Sequence, residues 1–479
     1  MTLADQLRKQ KEHAKRSLRT HIQANAGKRS WTTQALRSML ELAGYMPSIG
    51  PLGNRWAGLI YASQGEDSRA ASLFQNALER GLRGHPSLHY DLGMSLLRIG
   101  KPAEAELQFR QAIRIAPNAA WTYTGLTQSL IDQGKHLCVI PELLVASRNI
   151  SPAEICQLPF PSYLCEKVAK EESVYTELRD LVTKHPQAFH ATVLLARAES
   201  IRSNPQTAVA LLRAAAAIHF EGREVPNAPF AKPRFLIIGQ PKAGTTALFH
   251  YLIQHPFMVA PIVKEPHYWS QFHHLGNEWY QSFFPRLPPQ SELFTGEGSV
   301  LYLTHPEAPA RIARELPEAK LIVILRNPVS RAYSEHAMFL RLGMESRSFD
   351  EVVQEEISRF PTCPLEDTPL ALGESPDGYL TRSAVLPSLK RWLRYFPPEQ
   401  LLILRNEQLA NELPAVLDRV CQFLGITNDI PADQKRHNEG RYPPMSPVLK
   451  QTLTHWFQDH QQALGDFLDQ LPGTCLLRP

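Results

Sequence analysis

The 479-residue chain has only six cysteines, Cys138, Cys156, Cys165, Cys363, Cys421 and Cys475, and they are scattered. No C-x-x-C pair occurs, so the spacing indicates neither a zinc site nor a disulfide framework, and the usage fits a reducing compartment. Long apolar runs are missing as well. No segment reaches the roughly 18 apolar residues of a membrane-spanning helix, and the opening MTLADQLRKQKEHAKRSL has no apolar core of signal-peptide length. The expectation is a soluble, cytoplasmic protein. Neither sign of charge is in large excess. A formal net charge of +4 is not the field of a dedicated nucleic-acid binder. The basic residues of the first segment, Arg8, Lys9, Lys11, Lys15, Arg16 and Arg19, read as a solvated helical face, with contact to a membrane surface as the alternative.

A further absence is more specific. In FLIIGQPKAGTTALFHYLIQHP, an apolar run of strand length (Phe235 to Ile238) enters a loop flanked by Gly239 and Gly244, and a helical pattern follows up to Pro256. This is how a phosphate cradle is built: glycines let backbone N–H groups approach an anion, and the helix N-terminus adds partial positive charge. A nucleotide triphosphatase loop, G-x-x-x-x-G-K-[ST], carries lysine directly after the second glycine. Here Thr245 stands there, and the lysine lies inside the loop at Lys242. The next strand candidate, Lys320 to Leu325, ends in Arg326, where a triphosphatase would usually offer a magnesium-binding aspartate. The pattern points to a phosphorylated nucleotide met by protein cations alone, with no metal. A glycine-rich turn that binds nothing is the plain alternative.

Arg326 opens the segment RNPVSRAYSEH. Pro328 fits the first turn of a helix, and Arg331 and Ser334, three apart, share one face of it. A planar cation at Arg326 and a short hydroxyl at Ser334 can meet one phosphate from two sides. A helix cap with surface ion pairs would use the same residues.

Together these segments resemble the sulfotransferases that use 3′-phosphoadenosine 5′-phosphosulfate (PAPS), and the resemblance runs from about Pro233 to about Leu471. It implies that Lys242, Ala243, Gly244, Thr245 and Thr246 hold the 5′-phosphosulfate, and that Arg326 and Ser334 hold the 3′-phosphate. Between them, KEPHYW (Lys264 to Trp269) is similar to the acidic motif of the glycan branch, which includes heparan sulfate enzymes. There the residue matching Glu265 is the catalytic base. The chemistry agrees, since a sugar hydroxyl is a poor nucleophile until a group accepts its proton. An ion pair with Lys264 or a nearby arginine is the alternative for Glu265. His267 orients the base or the acceptor, or else packs at the sheet edge. His273 and His274 have no third ligand at sensible spacing for a metal.

FTGEGSVLYL is similar to the family's next strand, with Glu297 and Tyr302 matched. SAVLPSLKRWLRYF matches at Trp392 and Phe396, and HNEGRYPP matches the loop that closes over the nucleotide at Gly440, Arg441 and Tyr442. Gly298 and Val385 depart from the pattern, since relatives often carry lysine and tyrosine there. In the family those positions lie near the acceptor or the donor, so the resemblance defines the acceptor less than the nucleotide. The eukaryotic glycan enzymes are normally Golgi membrane proteins, and the missing anchor leads to the expectation of a bacterial chain.

The first half repeats itself. Gly58, Ala70, Phe74 and Ala77 recur 35 residues on as Gly93, Ala105, Phe109 and Ala112. Gly65 recurs as Gly100 and then Gly134, while Leu143 and Ala146 continue the series. The pattern resembles tetratricopeptide repeats, helix pairs of about 34 residues that bury their apolar faces only by stacking. The expected layout is a basic helical segment at 1–50, helical repeats at 51–221, a proline-broken linker at 222–233 and an α/β domain at 234–479 with a mostly parallel sheet. The expected reaction is sulfuryl transfer to a hydroxyl acceptor, a glycan first, with protein tyrosine, a lipid or a small metabolite as rivals. A repeat scaffold with an inactive nucleotide module is the reading from another class. The repeats imply a protein partner on their surface, or else a stabilising appendage.

Overall fold

The computed structural model describes residues 50–156, 158–366, 378–430 and 444–472. The basic opening stretch and the matched residues Gly440, Arg441 and Tyr442 lie outside them. The chain forms two compact units, Met1–Phe160 and Pro161–Pro479. No described helix is long and apolar enough to cross a membrane.

Among the described residues, the first unit contains three helical hairpins: α1 (Gly50–Ser63) with α2 (Asp67–Ala77), α3 (Pro86–Arg98) with α4 (Pro102–Ile115), and α5 (Ala120–Asp132) with α6 (His136–Asn149). Within each pair the turn carries a glycine in the left-handed region: Gly65 at φ +78°, Gly100 at +80° and Gly134 at +73°. The recurring residues Ala70, Phe74, Ala77, Ala105, Phe109 and Ala112 are all fully buried. Phe109 enters a slot that only glycine leaves open. A Cβ at Gly93 would come within 2.7 Å of its ring, and one at Gly125 within 2.2 Å. One aromatic ring thus joins α4 to the helix before it and the helix after it.

The second unit holds a four-stranded, all-parallel sheet: β1 (Phe235–Gly239), β2 (Gly296–Glu297), β3 (Lys320–Leu325) and β4 (Leu401–Arg405), in the order β2-β1-β3-β4. Parallel strands are covered on both faces, which is why they read as continuous apolar runs. Period-two alternation then assigns each side chain to a layer. Phe235, Ile237, Ile322, Ile324, Leu402 and Leu404 pack with α10 (Thr245–Leu252) and with α13 (Leu413–Leu424). Leu236, Ile238, Leu321, Val323, Leu401 and Ile403 share a core with an aromatic cluster around Trp269, Trp279 and Phe283.

That second core extends to α8 (Phe189–Ile201) and α9 (Pro205–His219), which follow α7 (Glu172–Lys184). Trp279 Nε1 donates to Ser200 Oγ of α8 at 2.8 Å. These helices therefore belong to the same compact unit as the sheet. α11 (Pro328–Arg341) follows β3, and α12 (Leu386–Trp392), which precedes β4, packs into this same second core. Trp392 is fully buried and donates from Nε1 to the carbonyl of Leu303 at 3.0 Å.

The strand order has a direct consequence. From β1 the chain proceeds to β2 on one side, and from β3 to β4 on the other. The carboxyl ends of β1 and β3 therefore flank a topological switch point, where open α/β sheets bind their ligands.

Candidate active site

The loop after β1 and the residue after β3 meet at that switch point. Gln240 N–H donates to the carbonyl of Ile324 at 3.0 Å, and the Gln240 side chain accepts from Arg326 N–H at 3.2 Å. Arg326 also donates from its guanidinium to the carbonyl of Lys242 at 2.7 Å. The two segments linked by resemblance alone in the sequence are thus hydrogen-bonded in the fold. Gly239 is confined by its neighbour, since a Cβ there would lie 2.7 Å from the Leu303 side chain. Gly244 caps α10 at φ +98°, a conformation that costs glycine little and other residues more. Asn406 fixes the loop from below, donating to the Ala243 carbonyl at 2.9 Å.

Lys242 is the loop's cation, and it sits at φ +66°, unusual for a residue with a side chain. Its ammonium lies 3.6 Å from Met338 Sδ on α11. Burial, with the charges of Arg341 and Arg326 adding to it, pushes the Lys242 ammonium down to about 8. A half-buried lysine crowded by arginines is an environment that suits an anion.

α11 is anchored from inside. Arg331 is fully buried; it donates to Ser383 Oγ at 2.6 Å, to the Tyr379 carbonyl at 2.6 Å and to Glu335 at 2.9 Å. Arg382 reaches the same carboxylate at 3.1 Å. Burial alone would raise Glu335, but these two guanidiniums hold its carboxyl below the ordinary range. Arg331 therefore spends its charge internally, while Ser334 lies buried on the same helix.

Glu265 stands across from the loop. Its carboxylate takes a short hydrogen bond from Lys264 Nζ and lies 3.3 Å from His267 Nε2. Burial pushes the Glu265 carboxyl up, but the Lys264 charge and the His267 contact outweigh it and bring it down to about 2. Lys264 Nζ also lies 3.4 Å from Thr245 Oγ1, at the start of α10. A single lysine thus connects the carboxylate to the loop after β1. The ion pair with Lys264 that was the alternative for Glu265 is formed. His267 is buried at φ +58°, with Nδ1 left without a hydrogen-bond partner. Backbone strain of this kind recurs at functional sites.

Two features were not deduced from the sequence. Arg197 on α8 is buried and donates to the Glu265 carbonyl at 3.1 Å. Its helix reads as an ordinary member of a repeated helical pattern, and only tertiary packing shows that it supports the KEPHYW segment. The second is the environment of Glu297. This residue is fully buried and accepts from Tyr280 at 2.6 Å, Ser299 at 2.6 Å and Tyr302 at 3.2 Å. Ser299 in turn accepts from His267 N–H at 3.1 Å. Glu297 thus fixes the backbone of His267, beside Glu265, through one hydroxyl. The sequence singles out Glu297 and Tyr302 only as matches to a strand of the resembling family.

Burial pushes the Glu297 carboxyl up to about 7 despite its three hydroxyl donors. The folded protein therefore holds this proton more tightly than the unfolded chain. Its stabilising contribution is full below the ordinary carboxyl range and is lost as pH rises through about 7. Between pH 5 and pH 8 the wild type should lose on the order of 3 kcal/mol more stability than Glu297→Gln. Denaturant midpoints of both proteins at the two pH values check this, and parallel pH profiles would remove Glu297 as the source.

Residues 232–470 match the family described as the sulfotransferase domain, and residues 55–120 match a tetratricopeptide repeat family. Among curated proteins, human bifunctional heparan sulfate N-deacetylase/N-sulfotransferase 3 is 31% identical over 268 residues, covering 50% of this chain and 30% of the relative. The membrane-associated sulfotransferase kil1 of Dictyostelium discoideum is 24% identical over 308 residues, covering 50% of this chain and 65% of the relative. The chain thus spans under a third of the length of the human relative. A solved sulfotransferase from Alicyclobacillus acidocaldarius shares 29% identity, covers 50% of this chain and 96% of its own, and superposes with a TM-score of 0.41. The chain carries a domain of the sulfotransferase family, preceded by tetratricopeptide repeats.

Proposed function

We propose that this domain transfers a sulfuryl group from PAPS to a hydroxyl of a glycan, with Glu265 as the base. The observation that carries this reading is the Glu265–Lys264–Thr245 chain, which sets a carboxylate one lysine away from the phosphate loop. In such a reaction the acceptor oxygen attacks sulfur in line. The new O–S bond forms as the bond to the bridging phosphate oxygen breaks, and the adenosine bisphosphate leaves with the electron pair.

The chain's own groups supply what that displacement needs. Glu265 Oε takes the acceptor proton, with His267 holding the carboxylate in place. The amides at the start of α10 and Lys242 face the 5′ side, where charge grows on the leaving phosphate. Preorganised donors aimed at developing charge usually lower such barriers more than any other single effect. Arg326 and Ser334 serve the 3′-phosphate and select this nucleotide over those lacking it. The cradle fits such a donor on its own geometry: Gly239 and Gly244 keep the loop close to the strand ends, and Lys242 lies among arginines. The glycan acceptor rests on the KEPHYW segment and on relatives whose names specify heparan sulfate. The repeats are suited to bringing a protein partner or a carrier of the acceptor.

Arg326→Ala is expected to weaken a 3′-phosphorylated adenosine nucleotide by about 1.5–3 kcal/mol, the scale of a hydrogen bond to a charged group. Calorimetric titration of wild type and variant with 3′-phosphoadenosine 5′-phosphate measures it. Equal wild-type affinity for nucleotides with and without the 3′-phosphate would overturn the assignment of the donor.

A further inference from the structure

The loop lysine, Lys242, approaches Met338 and not Thr245. The corner between the start of α10 and the base is filled instead by Lys264. Its stem runs over Gly298: a Cβ at that glycine would lie 3.0 Å from Lys264 Cε and 3.5 Å from Nζ. The Gly298 N–H donates to the Lys264 carbonyl at 2.8 Å, so the two segments are held in register. Gly298 has no left-handed φ; what its missing side chain provides is room for the lysine. The ammonium at the end of that stem touches both Thr245 Oγ1 and the Glu265 carboxylate.

We propose that Lys264 is the cation that receives the sulfuryl group of the donor, and that in the donor-free protein it is parked on Glu265, so that donor binding frees the base. The proposal rests on the sulfuryl-transfer reading of the site. One ammonium with three donors can contact Thr245, Glu265 and an incoming anion, but its charge is divided among them. An anionic sulfuryl group seated at the start of α10 competes with the carboxylate for that charge. As the ammonium turns toward the donor, Glu265 loses part of the positive field that makes it a weak proton acceptor. The base then gains strength only when something is present to be transferred. No bond is made or broken in this step; a cation changes partner, and the acceptor proton goes to Glu265 afterwards.

The test needs no acceptor. Full-length wild type, Lys264→Gln and Lys264→Ala are titrated calorimetrically with PAPS and with 3′-phosphoadenosine 5′-phosphate, which lacks the sulfuryl group. Both variants should lose about ten- to a hundredfold in affinity for PAPS and keep their affinity for the bisphosphate. The double variant Lys264→Ala/Gly298→Lys places a lysine stem in the vacated space and should recover most of the PAPS affinity. Equal losses on both nucleotides, or no loss on either, would make Lys264 a partner of Glu265 only and end the proposal. If wild type bound neither nucleotide, the sulfuryl-transfer reading itself would fail, and that outcome is distinct from the others. Thermal unfolding of each variant separates a lost contact from a lost fold, and two variants that both failed to fold would count against a role confined to the donor.

Discussion

Glu265→Gln is expected to lower sulfuryl transfer by about 10²–10⁴-fold, the usual contribution of a positioned general base, and to leave affinity for 3′-phosphoadenosine 5′-phosphate nearly unchanged. The amide keeps the shape of the carboxylate but cannot take a proton. Its neighbours argue for a small effect on binding: Lys264 and His267 contact the side chain, while Arg197 holds the backbone carbonyl, which the substitution does not alter. Release of the desulfonated nucleotide and calorimetric binding, measured side by side, decide the matter. Near-normal turnover in the variant would show that the base lies elsewhere.

The other large effect concerns the repeats. Phe109→Ala should destabilise the helical hairpins by about 3–5 kcal/mol, the range for truncating a buried phenylalanine. The ring is fully buried and packs against both Gly93 and Gly125, so two helix contacts are lost together. Neither glycine can fill the gap, because neither has a side chain that could relax into it. Native-state hydrogen exchange on the full chain reports the loss where it arises, as reduced amide protection in α3, α4 and α5. Unchanged protection there would mean that the hairpins are held by other contacts.

Much of this architecture was legible in the sequence because it depends on short-range rules. The spacing of Gly58, Ala70, Phe74 and Ala77 against Gly93, Ala105, Phe109 and Ala112 set out the stacking, and all six alanines and phenylalanines are buried as expected. Gly65, Gly100 and Gly134 marked the turns, and each adopts a positive φ. The strand ends were visible as apolar runs stopping at Gly239 and at Arg326, and the hydrogen bond between Arg326 and Lys242 closes that pair.

What stayed hidden depends on contacts far apart in the chain. Arg197 meets Glu265 across 68 residues, and nothing in a helical period signals such a contact. Gly125 was not singled out, because its role appears only once Phe109 has been placed between two helices. The direction of Lys242 could not be deduced either. Its position in the loop was plain, but its approach to Met338 is set by α11. Lys264 appeared in the sequence only as an ion-pair partner for Glu265, whereas in the fold it bridges Glu265 to Thr245.

The most direct measurement is transfer of labelled sulfate from PAPS by the purified full-length protein into separated polysaccharide, protein and lipid fractions. Label is expected in the polysaccharide fraction, dependent on Glu265 and Lys242. Label confined to protein or lipid would contradict the glycan assignment, and no label in any fraction would contradict sulfuryl transfer itself.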